Sequence, residues 1–200
     1  MTDRRQSPAG LALATRLAVS PVLPTVGVDA VAGFLAAGSE VCLLHRVCLE
    51  RFADTIGRLR DAGREAVVNV DSVAGLGRDR HALEYLRSVG VTGLLSSRLG
   101  LLQFARERGF VTMQALFVPA ACEIEAHANA VASARPDLVL LMPSPVLPHL
   151  TVDERSQLGR IVAAGFIRSV GDVRQALRCG AKAVSSTNPA LWGLTREEVA

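Results

Sequence analysis

The sequence predicts an α/β fold, a small (β/α)8 barrel of the TIM type with its last helix shortened. Three observations carry that prediction. Apolar runs rich in Val, Leu and Ile recur along the chain, each a short gap after a Gly or Pro. Helix-sized amphipathic segments separate these runs. Half of the 200 residues are hydrophobic while only 4% are aromatic, and small branched side chains suit a parallel sheet buried on both faces. Eight βα units at this pitch close most economically into a barrel. The alternative, an open doubly wound sheet, usually stops at about five or six strands.

The elements follow in order. Ser7 and Pro8 supply an N-cap and a first helical residue. Residues 1–17 therefore read as an N-terminal tail or short helix, and 18–200 as one barrel domain. The first strand reads as Val19–Val26. Gly38 precedes VCLL, Gly63 precedes AVVNV and Gly90 precedes GLLSS; Gly109 precedes VTMQALF and Pro136 precedes LVLLM. Gly159 before IVAAG and Gly180 before AVSS complete the set, with successive punctuators 19 to 27 residues apart. The glycines sit where a helix C-terminus wants a left-handed residue.

Two of the intervening segments are strongly amphipathic. Residues 79–89 carry Ala82, Leu83, Leu86 and Val89 on one face. Residues 169–179 carry Val170, Val173, Ala176 and Leu177, with Asp172 in the first turn. Pro143, Pro145 and Pro148 predict an irregular sixth crossover. Beyond Trp192 there is room for a short final helix at most.

Composition excludes several classes. Half-apolar content with 20% charged residues excludes a disordered chain. No run of about 18 apolar residues occurs, so no membrane-spanning helix is expected. Arg4 and Arg5 precede the apolar run Leu11–Ala14, but Arg16 interrupts it before it reaches signal-peptide length. Cys42, Cys48, Cys122 and Cys179 do not form a disulfide framework, and a chain of this length needs none. The chain reads as a cytoplasmic protein with no membrane partner. Cys42, His45 and Cys48 do not make a zinc site: Cys42 and His45 are three apart on a strand, on opposite faces, and no companion pair supplies a fourth ligand. No metal and no cofactor are expected.

The net charge of +3 is spread thinly. Lys182 is the single lysine, and the arginine bias suits phosphate and carboxylate forks but also follows from a GC-rich genome. A nucleic-acid stacking platform needs exposed aromatics among basic residues, and the aromatics here sit mostly in apolar surroundings. Arg51, Arg58 and Arg60 on one helix are candidates for RNA phosphate contacts, or simply a solvated helix face.

In such a barrel, functional groups lie at the C-terminal ends of the strands. That rule selects Asp71, Arg98, Gln114, Gly165, Ser185, Ser186 and Asn188 as candidate ligand-binding residues. Loops after strands 7 and 8 often hold phosphate. Gly165 permits close backbone approach there, and Ser185, Ser186 and Thr187 offer hydroxyls. Capping of the next segment is the competing role. Asp71 ends an apolar strand and is available to a hydroxyl, a metal or a neighbouring arginine, or caps its own loop. No catalytic residue is assigned.

The stretch VVNVDSVAGLGRDRHALEYLRSVGVTGLLSSR, with GFVTMQALFV, PDLVLLMP and SVGDVRQALRCGAKAVSSTNPALW, resembles the glycerol-3-phosphate-responsive antiterminators from Pro21 to Trp192. Its most specific pieces are residues 71–79, 172–181 and 185–192. The resemblance implies a cytosolic barrel that senses glycerol 3-phosphate and binds the leader mRNA of glycerol-catabolism operons to prevent termination. A homodimer is one assembly it allows. It implies a ligand at the mouth, with Arg98 and the loops around Gly165 and Ser186 on the phosphate and with Asp71 and Gln114 on the hydroxyls. The chain departs from the family pattern at Asn69 (usually His), Arg98 (usually Lys), Ala115 (usually Arg) and Ala164 (usually Gly), and in the segment MPSPVLPH. The competing expectation is a small barrel enzyme acting on a sugar or polyol phosphate, with Asp71 as acid or base.

Overall fold

The structure, a computed structural model, describes residues 7–200. The Arg4–Arg5 pair lies outside them. Eight parallel strands close into a barrel in sequence order, and β8 returns to β1. They are β1 (Val22–Val26), β2 (Val41–Leu44), β3 (Glu65–Asn69), β4 (Gly93–Ser96), β5 (Val111–Phe117), β6 (Leu138–Met142), β7 (Ile161–Ala164) and β8 (Ala183–Ser186). An N-terminal helix α1 (Pro8–Val19) is followed by one helix per crossover. These are α2 (Val31–Ala36), α3 (Leu49–Asp61), α4 (Arg80–Ser88), α5 (Leu99–Glu107), α6 (Ile124–Ala134), α7 (Val152–Leu158) and α8 (Val170–Arg178). Among the described residues no helix is long and apolar enough to cross a membrane.

The first strand starts at Val22, not Val19, because α1 runs on to Val19. Ser7 caps it, accepting from Gly10 N–H at 2.9 Å. Leu13 and Leu17 then bury against Val41 and Val111 at the N-terminal end of the barrel. Apolar burial of that kind outweighs the strand propensity of Val19. Asp137 fixes the docking: it accepts from Ser7 N–H (3.1 Å) and Oγ–H (2.9 Å), and from Thr112 N–H (2.9 Å). Gly10 lies so close that an added Cβ would sit 2.3 Å from Asp137 Oδ1.

The six punctuating glycines all have positive φ. Where Pro136 replaces a glycine, Arg135 takes the left-handed turn, at φ 50°. Side chains along each strand alternate between two layers. Leu43, Val67, Leu95, Met113, Leu140 and Ala164 fill the interior, while Leu44, Val68, Leu94, Leu116, Val139 and Ala163 pack under the helices. Cys42 belongs to the outer layer, and burial pushes its thiol up to about 12. The sixth crossover is irregular, as its prolines predict: a cis Met142–Pro143 bond, a 3-10 segment (Ser144–His149) and the short α7. Thr151 and Glu154 form a capping box that starts α7. After β8 the barrel has only a 3-10 turn, Pro189–Leu191, in place of a final helix.

Candidate ligand site

The C-terminal ends of the strands form the mouth. β3 runs into a 3-10 turn, Val70–Ser72, which carries Asp71. Its carboxylate accepts from Ser96 Oγ–H (2.9 Å), Ser97 N–H (2.7 Å) and Ser97 Oγ–H (2.9 Å). Arg98 stands 3.7 Å from it. Asp71 and Arg98 are thus brought together, and Asp71 takes the arginine-and-loop role rather than standing open to a ligand. Arg78 reaches back to the Asp71 carbonyl at 3.0 Å and holds the glycine-rich loop in place.

The loops after β7 and β8 are tied together. Ser186 Oγ donates to the Ile167 carbonyl (2.8 Å) and accepts from Asn188 N–H (3.1 Å). Asn188 Nδ2 donates to the Arg168 carbonyl (2.9 Å), while its Oδ1 accepts from Ala190 N–H (3.1 Å). Trp192 Nε1 donates to the Ser186 carbonyl (2.8 Å). Ser186 and Asn188 therefore each make side-chain hydrogen bonds inside the fold. These loops also offer a ligand backbone: Gly165 has φ 78°, and among the described residues no backbone hydrogen bond holds the N–H of Gly165 or Phe166. Ser185 faces inward and pairs with Thr25 across β1.

Gln114 does not face the mouth. It alternates with Met113 and Ala115, which belong to the barrel interior, so its side chain lies under the helices. It is 2% exposed, and its Oε1 has no hydrogen-bond partner. Asn69, Ala115 and Ala164 do lie on the inward face, two residues past or beside the interior Val67, Met113 and Val162. The three RNA candidates do not form one patch. Arg51 opens α3 at the mouth end and approaches Asp29 (3.7 Å). Arg58 and Arg60 close α3 at the other end, where Arg60 approaches Asp61 (3.8 Å).

Sequence reasoning missed three mouth residues. His45 follows β2, two past the inward Leu43, and a period-two extension of that strand finds it. Burial first, then the Arg46 charge, lowers its pKa. Phe166 has φ 61° and is 61% exposed, with the Arg168 guanidinium 5.6 Å from its ring centre. No sequence pattern marks that pair. Among the described residues no group of three His, Cys, Asp or Glu side chains could hold a metal ion. A cleft of about 430 Å3 opens at the opposite end, lined by Arg16, Val19, Ser39 and Glu40 among others. It is remote from the strand C-termini, and Arg16 is already paired with Glu40 and Glu65. The polar groups converge at the mouth instead. The single lysine, Lys182, precedes β8 at the far end from the mouth, bonded through its N–H to the Ile161 carbonyl.

The model of the family described as "glycerol-3-phosphate responsive antiterminator" matches residues 23–192, from β1 through the turn after β8. The chain belongs to the glycerol-3-phosphate-responsive antiterminator family. This antiterminator-family chain is 26% identical to YgcP of Escherichia coli K12, a protein described as uncharacterized, over 72% of the chain and 76% of YgcP. The fold matches the crystal structure of the glycerol uptake operon antiterminator regulatory protein from Listeria monocytogenes. There the TM-score is 0.77 at 19% identity, covering 86% of this chain and 94% of that one. A glycerol uptake operon antiterminator-related protein from Thermotoga maritima matches at TM-score 0.76 and 19% identity, covering 86% and 97%. At that identity the two crystal structures share the fold with this antiterminator-family member and nothing finer.

Proposed function

We propose that this protein is a transcription antiterminator that binds glycerol 3-phosphate, or a related phosphorylated polyol, at the barrel mouth and acts on leader mRNA of glycerol catabolism. The family match over 23–192 carries the reading. Arg98 and the Gly165–Phe166 backbone hold the phosphate, the one as a fork of donors, the other as N–H groups. Ligand stabilises one arrangement of the mouth loops and shifts the population toward an RNA-competent form. Catalysis by a Schiff base finds no lysine at the mouth, because Lys182 lies at the other end.

Titration calorimetry with glycerol 3-phosphate tests the ligand, and leader-RNA binding at fixed salt with and without it tests the coupling. The reading expects saturable binding by wild type and a weakening of at least about ten-fold in Arg98→Gln, the scale of a lost charge-assisted contact. Ligand that binds without altering RNA affinity overturns the sensing mechanism.

A further inference from the structure

The helices run antiparallel to the strands, so their C-termini gather at the barrel end opposite the mouth. On the α4–α6 side that rim is basic. Arg87 closes α4 and lies 5.1 Å over the Phe110 ring, just ahead of β5. Arg108 follows α5, and its guanidinium lies 5.6 Å over Phe104, which is 50% exposed. Arg135 ends α6 in the left-handed region and is exposed. Arg60 reaches across from α3 toward Gly90, where an added Cβ would lie 3.5 Å from its Nη1. Among the described residues Arg87, Arg108 and Arg135 make no ion pair. Of the nearby carboxylates, Asp61 faces Arg60, Asp137 is buried against Thr112 and Ser7, Glu84 approaches His81, and Glu107, exposed in the last turn of α5, pairs with none of the three arginines among the described residues.

Helix dipoles favour arginine in a last turn, and Arg108 does bond the Phe104 carbonyl at 3.3 Å. The dipole gives no reason for a large aromatic ring to stand half in solvent beneath that arginine. A cation beside an exposed ring, within a line of uncompensated guanidiniums, is what single-stranded nucleic acid recognises: phosphates meet the charges and a base stacks on the ring. Packed helices lie about 8–10 Å apart, so the three helix ends offer a track of about 20 Å.

We infer that the RNA-contact surface is this N-terminal rim, Arg87, Arg108 and Arg135 with Phe104 and flanked by Arg60 at the end of α3, and not Arg51 at the start of α3 nor the mouth. The inference rests on the RNA reading above and gives that reading a surface. Ligand and RNA then occupy opposite poles of the barrel.

Fluorescence anisotropy with a labelled uridine RNA oligomer of about 20 nucleotides, at about 50 and about 200 mM salt, tests it on the full chain. The triple variant R87Q/R108Q/R135Q is expected to bind at least about ten-fold more weakly at low salt. Its log–log salt slope falls by about two, at about 0.7 per lost phosphate contact. Phe104→Ala is expected to weaken binding about five-fold or more with the slope unchanged. Arg51→Gln, at the other pole, is expected to match wild type. Circular dichroism establishes that each variant is folded. If wild type binds and the triple variant binds equally well, the surface is wrong while the RNA reading stands. If wild type binds the oligomer at neither salt, the surface falls, while the RNA reading is decided by the leader-RNA titration with and without glycerol 3-phosphate. Loss in the triple variant with a silent Phe104→Ala overturns the stacking role.

Discussion

Asp71 and Arg98 face each other at 3.7 Å across the ends of β3 and β4, and the two residues do different work. Asp71 is three-quarters buried and accepts three hydrogen bonds from the β4 loop. The Arg98 side chain is 62% exposed. The carboxylate therefore builds the loop, and the guanidinium is the part that can leave it for a phosphate. Asp71→Asn is expected to lose about 1–3 kcal/mol of stability, because donors made for a carboxylate are left facing an amide. Arg98→Gln is expected to stay within about 0.5 kcal/mol of wild type, as exposed ion pairs contribute little. Urea unfolding checks both.

Gln114 makes the opposite kind of test. Its Oε1 is buried without a partner, and a buried acceptor left unmade carries a desolvation cost. Gln114→Leu replaces it with an apolar side chain of similar size. The expected outcome is unchanged or raised stability, by up to about 1 kcal/mol, with ligand affinity unaltered. A loss of ligand affinity at constant stability would return Gln114 to the binding site.

Ser186→Ala removes two hydrogen bonds, one joining the end of β8 to the β7 loop and one inside the β8 loop. About 1–2 kcal/mol of stability is expected to go with them. Glycerol 3-phosphate affinity is expected to fall as well, through the disordered cradle rather than a lost contact. Trp192 is the single tryptophan and hydrogen-bonds the Ser186 carbonyl, so its fluorescence is expected to change with ligand if the proposed site lies at these loops. A spectrum indifferent to saturating ligand would separate the loops from the site.

His45 sets a pH dependence. Its folded pKa lies below the ordinary 6.5, through burial and the Arg46 charge. The unfolded chain therefore takes up the proton first as pH falls. Stability from this group is fully present above about pH 6.5, and is lost progressively from there down to the lowered folded pKa. His45→Gln is expected to flatten that part of the stability–pH curve, measured by urea unfolding between about pH 5 and pH 8.

The barrel was legible because its signals are local. A glycine after each helix and a short branched run after each glycine mark the strands, and Arg135 shows that the turn persists even where proline replaces the glycine. The face of a strand residue is less local. Gln114 sits mid-way along a seven-residue strand, and one step of parity decides between mouth and helix layer. Asp71 and Arg98 were legible as strand-end residues, but their contact depends on how two loops fold over each other. Ser186 and Asn188 read as ligand donors because the sequence does not reveal that Ile167 and Arg168 carbonyls stand within reach. Phe104 reads as one more apolar residue until its helix is oriented.

The docking of α1 has a further meaning for traffic. The packed interior already closes the barrel, and α1, with Leu13 and Leu17 against the floor and Asp137 fastening Ser7, covers its far end, so the molecule is a shallow cup. On the proposed reading, a small molecule held at the mouth would enter and leave on that side only, past the mouth loops. A reporter or surface tether attached ahead of Ser7 hangs from the base of that cup. It leaves the mouth clear but crowds the basic rim, which makes the placement of a tag a practical question for any assay that reads both partners at once.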